Sequence, residues 1–161
     1  MATWQVDLDL LPRKQLLTVF GEMPSVLTED LREAAATWNE QLLPADCTSR
    51  ISKLLPEDKS WCPGIRMWGD EDGNRISLEH DDAGYPNAIF IRIDARDTSN
   101  RFLEGIVELA NSIDAVFLAI EDLKIVEPRL ELLVQQMKRS NGSRFVANPR
   151  EFLESLKEWE N

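Results

Sequence analysis

The sequence predicts one α+β domain over residues 1–161, built on a mixed, mainly antiparallel sheet with helices packed against it. Three stretches carry that prediction. Residues 89–95 alternate so that Ile89, Ile91, Ile93 and Ala95 share one side, while Phe90, Arg92 and Asp94 share the other. The helical repeat of Phe102, Leu103, Ile106, Val107, Ala110 and Ile113 follows at once and supplies a stripe to cover the isoleucines. Residues 115–120 are continuously apolar, as in a strand buried on both faces. Strand, helix and strand in that succession imply a crossover whose two strands run parallel, either adjacent or with one other strand between them.

Along the chain, Trp4, Val6, Leu8 and Leu10 alternate with Gln5, Asp7 and Asp9, which predicts a half-buried strand near 4–10. Pro12 suits the start of a helix near 13–20, with Leu16, Leu17 and Phe20 on its apolar side and Gly21 and Pro24 to interrupt it. Thr28 is the predicted N-cap of a second helix near 29–42, whose buried stripe is Leu31, Ala34, Ala35, Trp38 and Leu42. From Pro44 to Gly64 the periodicity fades, and only Ile51, Leu54 and Leu55 suggest a helical turn. Strands near 65–68 and 75–80 flank Gly69-Asp-Glu-Asp-Gly-Asn74 and predict an antiparallel hairpin. With that segment as the turn, Ile65, Met67, Ile76 and Leu78 face the core and Arg66, Trp68, Ser77 and Glu79 face away.

Gly84, Tyr85 and Pro86 turn the chain into the strand near 88–95, and Ser99 or Asn100 caps a helix near 100–112 ahead of the strand near 115–120. Within that helix Gly105 implies close packing, whereas the other glycines punctuate turns. Pro128 opens a helix near 128–139, buried through Leu130, Leu133, Val134 and Met137 and ended by Asn141 and Gly142. Phe145 to Ala147 reads as a short last strand. Asn148, Pro149 and Glu151 form an N-cap, a first-turn proline and a capping-box acid for a final helix near 149–158.

A chain of 161 residues buries roughly 70% of the surface its unfolded form exposes, so its core needs neither disulfide nor metal. Cys47 and Cys62 are too widely spaced for a redox Cys-x-x-Cys motif and too few for a secreted disulfide framework, and both are read as reduced. The formal net charge of −11 repels phosphate backbones and anionic membranes, which argues against nucleic acid and membrane partners and favours a basic protein. No apolar run approaches the roughly 20 residues that cross a bilayer, and no basic region leads into an apolar one at the start, so the expected compartment is the cytoplasm.

Catalytic motifs are missing: there is no G-x-S-x-G elbow, no glycine-rich phosphate loop and no H-E-x-x-H helix. His80 is the only histidine; with Glu79, Asp81 and Asp82 around it, it has the makings of a base for Cys47, but a lone histidine at a strand end is more often a hydrogen-bonded surface residue. Asp70, Glu71, Asp72, Asp81 and Asp82 offer oxygens to a hard cation, yet Gly73 comes too early for a calcium loop and the twelfth ligand is missing, so they read as solvated turns. No metal or cofactor is expected. Asn141-Gly142-Ser143 matches the glycosylation acceptor pattern and is better read as a helix C-cap. Asp94, Arg96 and Asp97 stand at the carboxyl end of a strand entering a helix, where open sheets bind ligands, although an arginine between acids also makes ordinary ion pairs.

The pattern points to a non-catalytic domain that binds a basic protein, and its analogy with toxin-immunity proteins extends to size, acidity and missing motifs only. The expected contacts are Trp68, Phe90 and Arg92 on one side of the sheet, with Asp94. The acidic Asp70, Asp72, Glu79, Asp81 and Asp82 join them, concentrated as the hairpin draws its two ends together. The competing expectation is a small enzyme or ligand-binding protein using Glu79, Arg92 and Asp94 in a cleft.

Overall fold

One seven-stranded sheet runs through the chain and sets the place of every helix. The computed structural model describes residues 2–158. In chain order the elements are β1 (Gln5–Pro12), α1 (Arg13–Phe20), α2 (Glu29–Ala35), α3 (Cys47–Ser52), β2 (Glu57–Asp58), β3 (Ile65–Gly69), β4 (Arg75–His80), β5 (Pro86–Asp94), α4 (Arg101–Ser112), β6 (Ala115–Ala119), β7 (Lys124–Val126), α5 (Leu130–Arg139), α6 (Asn141–Ala147) and α7 (Pro149–Glu158). The strand order is β2-β3-β4-β5-β1-β6-β7, and neighbours pair antiparallel throughout. Because β5 and β6 each pair antiparallel with β1, they run parallel to one another with one strand between them, which is the crossover expected of residues 88–120.

Residues opposite one another on adjacent strands share a face, so the register sorts the side chains. Trp68, Ile76, Ile91, Leu8 and Ala119 make one such row across five strands and lie in the principal core with Leu10, Ile89, Ile93 and Phe117. The helix α4 lays Phe102, Leu103, Ile106, Leu109 and Ala110 over this face, and α5 adds Leu133 and Met137. Gly105 allows α4 to approach the α3 region, since a Cβ there would stand 2.7 Å from Leu54 Cδ2.

The opposite face divides in two. Over β1, β6 and β7, helices α1 and α2 enclose Leu11, Leu16, Leu27, Ala35, Val116, Leu118 and Ile125. Strand β6 is therefore covered on both sides, and its five residues are all buried, as its unbroken apolar run requires. Over β3, β4 and β5 the same face opens into a groove.

The hairpin departs from the expected register. Gly69 joins the ladder opposite Arg75, leaving Asp70 to Asn74 as the loop, closed by the Asp70 N–H donating to the Asn74 carbonyl at 3.0 Å. A one-residue slip moves a strand's side chains to the other face. Trp68 accordingly joins Ile76 and Leu78 in the core, donating its indole N–H to the Ser52 hydroxyl at 2.9 Å, while Ile65 and Met67 turn outward beside Glu79 and Ser77. Gly69 makes this possible: its φ is +98°, and a Cβ would lie 2.1 Å from the Asn74 carbonyl oxygen.

Other differences have equally local causes. The helix expected near 29–42 stops at Ala35, because Trp38 is drawn into the principal core on the far side of the sheet. There its backbone N–H donates to the Asn87 carbonyl and its indole N–H to the Leu10 carbonyl at 2.7 Å, leaving Leu31 and Ala34 exposed on α2. Residues 145–147, expected as a strand, belong to α6, whose N-cap Ser140 accepts from the Ser143 N–H. Asn141 and Gly142, expected to end the preceding helix, form the first turn of α6 instead. Gly142 lets that turn abut β1, where a Cβ would meet Val6 Cγ2 at 2.8 Å. Strands β2 and β7 were invisible in the sequence, being too short to show alternation.

Candidate functional site

The groove on the open half of the sheet has a volume of about 380 Å³. Asp7, Arg92 and Arg75 form one cross-strand row of its floor, and Asp9, Phe90, Ser77 and Met67 form the next. Helix α2 contributes Arg32 to the lining, and the connector before β3 contributes Trp61. The floor is polar because β1, β4 and β5 alternate, so the residues pointing away from the core converge here.

Charge in the groove is arranged in pairs. Asp9 is only 3% exposed and receives Arg32 Nε and Nη2 on its two oxygens at 2.9 and 3.3 Å. Burial pushes its carboxyl above the ordinary value against the pull of Arg32, while the hydrogen bond to Asp9 raises Arg32 further. Arg92 Nε donates to Asp7 Oδ1 at 2.9 Å. Arg75, with a side chain 12% exposed, runs under Met67 to the sheet edge, where Nη2 donates to Asp58 Oδ2 at 3.2 Å. Its Nη1 lies 3.5 Å from Met67 Sδ, and its buried Nε has no hydrogen-bond partner among the described residues.

Arg32 on Asp9 in the groove, and Arg13 on Glu127, Arg66 on Glu57 and Arg96 on Asp94 outside it, each address both oxygens of a carboxylate. Arg75 and Arg92 each give a carboxylate a single N–H, and they stand opposite one another in the ladder. Two like charges in that position oppose pairing unless acceptors are supplied. Trp61 stands in the groove lining with 83% of its surface exposed. Glu71 belongs both to this groove and to a shallow depression shared with Asp58 and Asp70, which makes the adjoining sheet edge acidic.

Of the residues singled out in the sequence, Phe90 and Arg92 lie in the groove, but Trp68 is on the opposite face, inside the core. Asp94 is held at the carboxyl end of β5 by Arg96, whose hydrogen bonds lower its carboxyl below the ordinary range and whose guanidinium lies 4.3 Å from the Trp4 ring centroid. The Asp94 N–H donates to Asn74 Oδ1, and Asp97 Oδ1 accepts from the Ser99 N–H and hydroxyl, so this strand end is tied internally. Glu79 sits at the other end of the face, opposite Ile65 and Ala88. Glu79, Arg92 and Asp94 are thus spread along the sheet rather than gathered in one cleft.

The acidic groups of the hairpin also separate. Asp70 and Asp72 occupy the loop and Asp81 and Asp82 the far end of β4, six residues and about 20 Å of extended chain away. The hairpin does not bring them together. Asp70 Oδ1 accepts from the Asp72 N–H, and Asp81 Oδ1 accepts from the Ala83 and Tyr85 N–H groups, so both shape their turns.

The groove offers hydrogen-bond donors and acceptors beside the apolar Phe90 and Met67, which is the equipment of binding. Cys47 lies in the principal core, where burial pushes its thiol up to about 11, far from the thiolate a nucleophile needs. No three His, Cys, Asp or Glu side chains converge to hold a metal ion among the described residues, and none of their helices is long and apolar enough to cross a membrane. No family model matches the chain, and no curated protein or solved structure matches it.

Sequence reasoning overlooked Arg32, Arg75 and Trp61 as groove residues. Asp7 and Asp9 were visible as outward acids on β1, but their partners come from α2 and β5, and nothing in the local pattern announces those pairings. Trp61 lies in the aperiodic connector, where periodicity assigns no face.

Proposed function

We propose that this chain is a non-catalytic protein-binding domain whose partner is a basic protein, docked over Trp61 and the acidic edge beside it. The observation that carries the reading is Trp61, held in water at the groove. Tryptophan, with phenylalanine, methionine and arginine, is enriched in interface cores, and a few such residues supply most binding energy. Trp61, Phe90, Met67 and Arg92 lie together here. Asp58, Asp70 and Glu71 give the adjoining edge the sign that attracts a cationic partner, and the net charge of −11 extends that field. Neutralising a basic toxin is the specific form this reading takes by analogy of size and acidity.

The test is capture from source-cell lysate at low salt on the immobilised protein, repeated with Trp61→Ala and with two separate pairs, Asp70 and Asp72 or Asp81 and Asp82, changed to Asn. A partner rich in Lys and Arg is expected, with affinity lowered at least about tenfold by Trp61→Ala. The Asp70 and Asp72 pair should lower the association rate and flatten its salt dependence, and the distant pair should not. An acidic partner, or one indifferent to Trp61→Ala, would overturn the proposal.

A further inference from the structure

The groove floor leaves some polar groups without protein partners, and they are of both signs. On the donor side, among the described residues, Arg75 Nε is buried and unpartnered, and Arg92 uses only its Nε, leaving both terminal nitrogens without an acceptor. On the acceptor side, Asp7 engages Arg92 through Oδ1 alone, and the Glu71 carboxylate has no hydrogen-bond partner among the described residues.

Charge selects what fits. A bare anion would approach Asp7 and Glu71 in a molecule of net charge −11, and a bare cation would approach Arg75 and Arg92. A zwitterion presents each sign to its opposite. In the row Asp7, Arg92, Arg75, the Asp7 carboxylate and the Arg92 guanidinium meet side by side at 2.9 Å, so an ammonium and a carboxylate carried on the same carbon can each face its opposite. The next row offers Phe90 and Met67 as an apolar surface. About 380 Å³ falls within the range of roughly 300 to 1,000 Å³ typical of small-molecule sites.

We infer that the groove binds a free α-amino acid with an apolar side chain. Its carboxylate lies on the terminal nitrogens of Arg92, on the side of Arg75, its ammonium against Asp7 and Glu71, and its side chain on Phe90 and Met67. This site goes beyond the protein-binding reading and stands or falls without it.

Isothermal titration with L-phenylalanine, 3-phenylpropanoate, phenethylamine and N-acetylphenylalanine amide separates the contributions of the two charges. L-Phenylalanine should bind, and loss of either charge or of both should weaken binding at least about tenfold, because charge-assisted hydrogen bonds are left unmade. Arg92→Gln and Asp7→Asn, whose side chains are partly exposed, should each weaken L-phenylalanine about tenfold or more while keeping the unfolding midpoint. Arg75→Gln should weaken binding too but also lower the midpoint, since its side chain is mostly buried and paired with Asp58, and Arg66→Gln, at the hairpin edge on the other face, should leave L-phenylalanine binding unchanged. No heat with either L-phenylalanine or L-leucine would overturn the proposal. So would 3-phenylpropanoate or phenethylamine binding as tightly as the zwitterion, or affinity unchanged in Arg92→Gln.

Discussion

Strands β5 and β6 are one strand apart in the same sheet, yet β6 is dry on both faces while β5 is dry on one and carries Phe90 and Arg92 into an open groove on the other. The helices explain the difference only in part. Val116 and Leu118 offer α1 and α2 an apolar surface, whereas Phe90 and Arg92 alternate with the isoleucines and leave a mixed one. Covering the second surface would strip water from Arg92 and Asp7, whose remaining polar atoms would then need partners. At the border, Asp9 is covered, and it has the complete, two-oxygen pairing with Arg32 that such burial demands. Cover ends where the polar groups cease to be fully paired.

The most direct way to break that comparison is to place a polar side chain on each face of β5 in turn. Ile91→Asp places a carboxylate in the principal core and should cost several kcal/mol, about 4 or more, enough to unfold or aggregate the protein. Phe90→Ser, on the adjacent residue, should cost no more than about 1 kcal/mol. Equal shifts of the two denaturation midpoints would show that the groove face is as closed as the core.

Two tryptophans of the hairpin region sharpen the same contrast. Trp68→Ala should lose about 3 to 5 kcal/mol, with its indole bond to Ser52, whereas Trp61→Ala should stay within about 0.5 kcal/mol in urea unfolding. A large loss at Trp61 would make it a structural residue and remove it as an anchor.

Gly69→Ala tests what sends Trp68 inward. Its φ of +98° and the 2.1 Å approach to the Asn74 carbonyl should make even a methyl group cost about 1 to 3 kcal/mol. Trp68 fluorescence should redden as the register loosens. An unchanged spectrum and midpoint would mean that burial of Trp68 alone holds the register.

The smallest effect concerns pH and separates the groove border from an outlying ion pair. The Asp9 carboxyl is raised above its ordinary 3.8, so its folded form binds protons more readily than its unfolded form; the cost of ionisation is fully present at neutral pH and disappears as pH falls through the raised value. Glu127, lowered from 4.5 by Arg13, behaves oppositely: it stabilises above that ordinary value, and the gain is lost on acidification through its folded value. Relative to Asp9→Asn, wild type should gain ground as pH falls toward 4. Relative to Glu127→Gln, it should lose ground. Parallel trends for the two variants in pH-dependent melting would contradict the desolvation of Asp9.

Much of the site escaped the sequence for a reason visible in these pairs. Phe90 and Arg92 were legible as the outward half of an alternation, and Asp7 and Asp9 likewise. Their meeting with Arg32, Arg75 and Trp61 depends on strand order and helix placement, which put residues 23 positions apart in contact in one case and 85 in another. The expected gathering of acids failed for a geometric reason, since β4 holds the loop and the far turn apart by its own length.

By itself the sequence determined the α+β class, the strands 88–95 and 115–120 with one helix between them, the inward isoleucines and the double burial of β6, because periodicity and unbroken apolarity are local properties of the chain. Tertiary structure alone decided that β1 would enter between β5 and β6, that Trp38 would leave its helix for the far core, and that Gly69 would extend the ladder by one residue. Each of these choices compares long-range burial with local preference. A buried indole or a sheet neighbour outweighs the few tenths of a kcal/mol that separate typical helix propensities, roughly 0 to 0.7 per residue, and no window of neighbouring residues contains that comparison.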